Sequence, residues 1–225
     1  MVSDLHYSKG TFHGLDESKS FDWFYEIVKK ERPELTLSAG DFGREADFTL
    51  FQKIVEETHL LTVYGNHDDI GVIKYIVNKD GSKCWLEDDY IRQYKGLRIA
   101  GINGNIAKIK RKVHHKTVEE IQEIISNYAE KKIDVLITHE APEHELITRE
   151  KMLGYPVINE AIERIKPKLH LCGHVHIPSQ ILRINDNLSI NLDSSIERKE
   201  YALAESKNGK ISDVKIVKAE AYRMQ

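Results

Sequence analysis

The stretch Cys172-Gly173-His174-Val175-His176 sets two imidazoles one residue apart, directly after the apolar run Leu169-His170-Leu171. Imidazole is the commonest protein ligand for a metal ion. Four other apolar runs end in comparable chemistry. Met1-Val2-Ser3 is followed by Asp4-Leu5-His6, and the run from Leu35 to Ala39 by Gly40-Asp41. Leu60 to Tyr64 leads into Gly65-Asn66-His67-Asp68, and Val135 to Thr138 into His139. Taken singly, each piece has a plain reading. A lone histidine at a strand end is more often a satisfied structural residue than a ligand. Gly-Asp reads as a turn, and Gly-Asn-His-Asp as an Asx-type turn. Five such endings in one chain are harder to dismiss. The inventory is Asp4, His6, Asp41, Asn66, His67, His139, His174 and His176. Imidazole mixed with carboxylate oxygen suits Mn, Fe, Zn or Ni better than Ca or Mg. Leaving His67 aside, seven candidate ligands are too many for one ion and fit two that share a carboxylate.

To act together, these side chains must meet at one edge. The elements around them allow it. Helical spacing marks residues 21–32, with Pro33 as the stop, and residues 47–57, 118–130 and 157–165. Between them lie strand-like runs at 35–39, 60–64, 97–100, 134–138 and 169–172. In open α/β sheets, ligands bind beyond the carboxyl ends of the strands. The last quarter changes character. Residues 180–192 and 200–217 read as antiparallel pairs, the second turning at Asn208-Gly209. This mixture predicts stacked sheets with helices outside them.

Composition bounds the rest. The chain has 225 residues, 40% hydrophobic and 31% charged, with a net charge of -3. That is enough for one substantial core, and a single domain over residues 1–225 is expected. The charge disfavours a surface built for bulk nucleic-acid binding. No apolar stretch is long enough to span a bilayer, and no signal peptide is visible, so no membrane partner and a cytoplasmic location are expected. Cys84 and Cys172 form no CxxC pair, and Cys172 reads as a small buried core residue. His13, His59, His114, His115, His144 and His170 read as structural or solvated.

The ordered series D-x-H, G-D, G-N-H-D, H and G-H-x-H resembles the calcineurin-like metallophosphoesterase superfamily, over roughly residues 1 to 195. The resemblance implies an α/β fold: a four-layer α/β/β/α sandwich, two mixed sheets flanked by helices. It implies two divalent metal ions, manganese first among Mn, Fe, Zn and Ni. Asp4, His6 and His176 would hold one ion; Asn66, His139 and His174 would hold the other; Asp41 would bridge them. His67 matches the family's non-ligand histidine, which contacts phosphate and protonates the leaving oxygen. Asp68 would be its partner, and Asn66 and His67 would add hydrogen bonds to the developing charge. The implied activity is hydrolysis of a phosphodiester of a small molecule or nucleotide by a metal-bridging hydroxide.

The match also departs from some relatives. Gly40-Asp41-Phe42-Gly43-Arg44 stands where protein Ser/Thr phosphatases have G-D-x-x-D-R-G, which sets that branch aside. Asn191-Leu192-Asp193-Ser194-Ser195 stands where many small phosphodiesterases have N-P-G-S. A nuclease is a second reading, and a metal-free scaffold a third, disfavoured because no ligand is missing. A zinc amidohydrolase would need a (β/α)₈ barrel, which the C-terminal hairpins oppose. Homo-oligomerisation is left open. Residues 106–116 carry five Lys/Arg and read as a solvated loop or as a lid for an anionic substrate. Only three residues precede Asp4, fewer than a usual strand, so an apolar extension ahead of Met1 is expected.

Overall fold

The computed structural model describes residues 1–12, 14–149 and 154–219. The larger sheet has six strands, in the order Gln180–Ile184, Asn187–Asn191, Leu169–Cys172, Val135–Thr138, Leu97–Ile102 and Arg92–Tyr94. The four inner strands run parallel, and both edge strands run antiparallel to their neighbours. The second sheet is built around the parallel pair Leu35–Ser38 and His59–Thr62. Met1 to Ser3 lies against the first of these, with Val2 N donating to Leu37 O (3.0 Å) and Ala39 N to Val2 O (3.1 Å). On its other side Met1 exchanges two hydrogen bonds with Ala202, which brings in the antiparallel hairpin Glu200–Lys207 and Lys210–Lys218. That hairpin turns at Asn208 and Gly209, both at positive φ (53° and 72°), as the Asn-Gly pair predicts.

Three apolar layers hold the sheets and helices together. Side chains alternate along a strand, so one strand feeds two layers. Ile99, Val135, Ile137, Leu169 and Leu171 point inward, where Leu37, Leu61 and Val63 of the other sheet meet them. Ala100 and Leu136 point outward, under the helices Val118–Ala129 and Pro156–Ile165. On the opposite outer face Leu60 packs beneath the helices Ser20–Glu31 and Phe48–Val55 through Phe24, Phe51 and Ile54. Helix, sheet, sheet, helix is the expected four-layer sandwich.

The helix boundaries have local causes. Thr117 and Glu120 form a reciprocal capping box at the start of Val118–Ala129. Asp47 accepts from Leu50 N at the start of Phe48–Val55. Arg32, in the left-handed conformation, ends Ser20–Glu31 one residue before Pro33. The short helices Ile70–Ile73 and Glu145–Arg149 and the edge strand Arg92–Tyr94 have too few residues for periodicity to announce them.

His170 is a core histidine, as expected. It is fully buried, with Nδ1 2.8 Å from Ser189 Oγ and Nε2 2.9 Å from Thr138 Oγ1. Burial pushes its imidazole from 6.5 down to about 3. The unfolded chain therefore binds this proton more readily. The contribution of His170 is present above about pH 6.5 and is lost as pH falls toward 3, at up to about 1.4 kcal/mol per unit. Denaturant melts in chelator should show His170→Asn with a shallower loss of stability between about pH 6 and 4. An unchanged slope refutes the assignment.

Candidate metal centre

Because the strands Leu35–Ser38 and His59–Thr62 are parallel, as are Val135–Thr138 and Leu169–Cys172, each pair delivers its carboxyl ends to one rim. The loops leaving that rim carry every residue of the sequence inventory. Four of them sit in the left-handed region that non-glycine residues avoid: Asp4 (φ 58°), His6 (50°), Asp41 (56°) and His174 (67°). Such strain costs about 1–3 kcal/mol per residue and persists only where surroundings enforce it. Here the first two loops zip together, with Asp4 N donating to Gly40 O, His6 N to Asp41 O and Tyr7 N to Phe42 O at 3.0, 2.9 and 2.7 Å.

Two groups of ligand atoms result, each within 4.8 Å internally: Asp4, His6 and His176, and Asp41, His139 and His174. In the first, His6 Nε2 is 3.2 Å from His176 Nε2 and 3.6 Å from Asp4 Oδ1. In the second, His139 Nε2 is 3.1 Å from both His174 Nδ1 and Asn66 Oδ1, and 3.4 Å from Asp41 Oδ2. Asp41 Oδ2 also lies 4.0 Å from His6 Nδ1, the ring nitrogen opposite the one near His176 and Asp4, so this carboxylate contacts residues of both groups. His67 stands at the side, its ring 5.2 Å from that of His6, and its backbone N–H donates to Asp41 Oδ1 (2.7 Å). Two glycines leave room. A Cβ on Gly65 would collide with Asp41 and His139, and one on Gly173 with Ser3 and Asp4.

Behind three of the imidazoles stands an acceptor that selects which nitrogen faces inward. His139 Nδ1 is 2.8 Å from the Ala39 carbonyl. His174 Nε2 faces Glu140 Oε2 at 3.7 Å, and His176 Nδ1 faces Asp193 Oδ2 at 3.5 Å. A metal-ligating histidine commonly hands its other N–H to a carboxylate or carbonyl in this way.

The donors fit divalent cations. Asp4 is buried; its Oδ2 accepts from Ser3 Oγ and His174 N, while Oδ1, aimed into the first group, has no hydrogen-bond partner among the described residues. Burial would raise the Asp4 and Asp41 carboxyls, yet both stay below the usual range, held there chiefly by His6 and His139 respectively. In return, although burial would lower the His139 imidazole, the Asp41 carboxylate holds it up at about 10. Burial likewise opposes charge on His176, but the hydrogen bond to Asp193 lifts it to about 9. This negative potential also favours divalent cations, whose binding displaces such protons. His174 and His176 are 29% and 41% exposed, so the rim opens to solvent on their side.

Asp68 has a structural job that the sequence reading did not include. Its two oxygens accept from the backbone N–H groups of Asp41 (2.8 Å), Phe42 (2.7 Å) and Gly65 (2.8 Å). It ties two ligand loops together from below. Sequence reasoning passed over Glu140, although it adjoins His139, and saw Asp193 only as a departure from a motif. It had no signal for Glu17, a buried carboxyl that burial raises to about 7 and that accepts from Ile196 N.

The chain matches the family model for calcineurin-like phosphoesterases over residues 1–178. No curated protein matches it by sequence. Among solved structures, the crystal structure of TT1561 of Thermus thermophilus is similar, with 13% identity, a TM-score of 0.65, and coverage of 95% of this chain and 96% of that one. A second crystal structure, also 13% identical, superposes with a TM-score of 0.69 over 96% of each chain. At such identity the structural likeness speaks for the fold.

Removing the acceptors behind the imidazoles should loosen metal without touching a ligand. Glu140→Ala and Asp193→Ala are each expected to weaken Mn²⁺ binding by calorimetry about 10–100-fold. Melting in chelator serves as the control for folding. Wild-type affinity in both variants would deny these carboxylates that role.

Proposed function

The chain belongs to the calcineurin-like phosphoesterase family, and from that premise we propose that it is a dinuclear phosphoesterase acting on a phosphodiester of a small molecule or nucleotide. Family membership carries metal-dependent phosphoester hydrolysis in general. The observation that supports the finer reading is the position of Asp41 Oδ2, 3.4 Å from His139 Nε2 in one group and 4.0 Å from the Nδ1 of His6, a member of the other. One carboxylate shared in this way suits two ions side by side.

Asp4, His6 and His176 would hold one ion; Asn66, His139 and His174 the other; Asp41 both. Imidazole, carboxylate and amide oxygen together suit Mn, Fe, Zn or Ni, and the family resemblance makes manganese the first to test. When bound, two such ions acidify a water and neutralise charge on the phosphoryl oxygens. The chain's own groups do the rest. Asn66 and His67 offer hydrogen bonds at the open side, where charge develops on the substrate. The His67 ring lies edge-on to that of His6, 5.2 Å between centroids, and an imidazole there is placed to pass a proton to a leaving oxygen. Glu140 and Asp193 hold ligand rings in place. The N-terminal 178 residues carry the whole ligand set, and the C-terminal hairpin completes one sheet, in keeping with a single domain. A cytoplasmic location completes the proposal.

Elemental analysis after reconstitution should approach two metals per chain, falling toward one or none in Asp41→Asn. Saturation at one ion, unchanged in that variant, would sink the dinuclear reading. His67→Ala should keep its metals and lose about 10²–10⁴-fold in turnover on a poor leaving group, and less on a good one. Equal losses on both esters would remove the acid role.

A further inference from the structure

Residues 105–116 leave the metal rim as a loop with a fixed root and a projecting tip. At the root Asn105–Ile106 pairs in parallel with His115–Lys116. Ile106 N donates to Glu140 Oε1 (2.8 Å), the same carboxylate that faces His174, and Lys116 pairs with Asp88 (2.8 Å). His114 is buried, close enough to the centre to feel the charges of Arg44 and Asp41. The tip behaves in the opposite way. Every residue from Lys108 to Val113 is exposed. Ile109 is 64% exposed and Val113 81%, the highest value of any exposed large hydrophobic among the described residues. Around them stand Lys108, Lys110, Arg111 and Lys112. Lys110 pairs with Glu120 at the surface; the other three have no carboxylate partner among the described residues.

Cations alone would suit any polyanion. The aliphatic pair narrows the choice. Single-stranded nucleic acid is held by aromatic side chains that stack on bases, and the exposed tip has none. Isoleucine and valine gain nothing from phosphates, but they gain by entering the boundary between headgroups and acyl chains, with Lys and Arg on the phosphates above. The net charge of -3 would repel an anionic surface as a whole, so attraction must be local to such a patch. We propose that the 107–113 loop docks this protein on anionic lipid surfaces, with Ile109 and Val113 inserted and Lys108, Arg111 and Lys112 against lipid phosphates. Docking sets the metal rim beside the headgroup layer. The sequence expectation of no membrane partner weighed only spanning segments, and peripheral docking needs none.

The test is co-sedimentation with vesicles, with no reaction required, so its outcome is separate from that of the phosphoesterase reading. The chain should bind vesicles of phosphatidylcholine mixed with phosphatidylglycerol, bind pure phosphatidylcholine poorly, and release as salt rises. Lys108→Ser, Arg111→Ser and Lys112→Ser should each cost roughly fivefold in affinity. The double variant Ile109→Ser, Val113→Ser should cost about tenfold or more at unchanged melting temperature. Binding that ignores phosphatidylglycerol overturns the proposal. So does a double variant that binds like wild type, or tighter binding to a single-stranded oligonucleotide than to the mixed vesicles.

Discussion

Everything at the rim answers to the burial of Asp4 and Asp41. Both carboxylates are about 1% exposed and both remain ionised. An isolated buried charge is costly enough that a protein either pairs it or lets it take a proton. Here the pairing is done by imidazoles from separate loops, which is why those loops must converge to within hydrogen-bonding distance. The left-handed residues at Asp4, His6, Asp41 and His174 follow from the same demand. Each strand must turn sharply just past its end to bring its side chain back over the rim.

The floor beneath the site makes that strain tolerable. Asp68 holds three backbone N–H groups from two loops, and Gly65 and Gly173 lie flat beneath the ligand side chains. These residues remove the freedom the ligand loops would otherwise have, so that the geometry is preorganised. The three apolar layers do the same at larger scale, since a close-packed sandwich does not deform smoothly.

Function in this chain sits on connections, and rigidity in what they connect. The 105–116 loop shows the contrast within a few residues: its root is locked to Glu140 and Asp88, while its tip exposes aliphatic side chains no soluble core accounts for. Glu140 joins the two, with one oxygen on the loop root and the other facing His174, a candidate ligand.

Much of this was legible in the sequence. Helix caps at Asp47 and Thr117, the Asn208-Gly209 turn and the strand-end ligands are local signals, written within a few residues of where they act. The sequence by itself therefore determined the longer elements, their layering class and the candidate ligands from Asp4 to His176 that the structure gathers at one rim. The tertiary structure decided what depends on distance between elements. It chose which nitrogen of His139, His174 and His176 faces inward, set Glu140 and Asp193 behind two of those rings, and gave Asp68 to the backbone. It also buried His114 beside an exposed Val113. Periodicity reports which side of its own element a residue faces; it carries no information about which other element will be packed there.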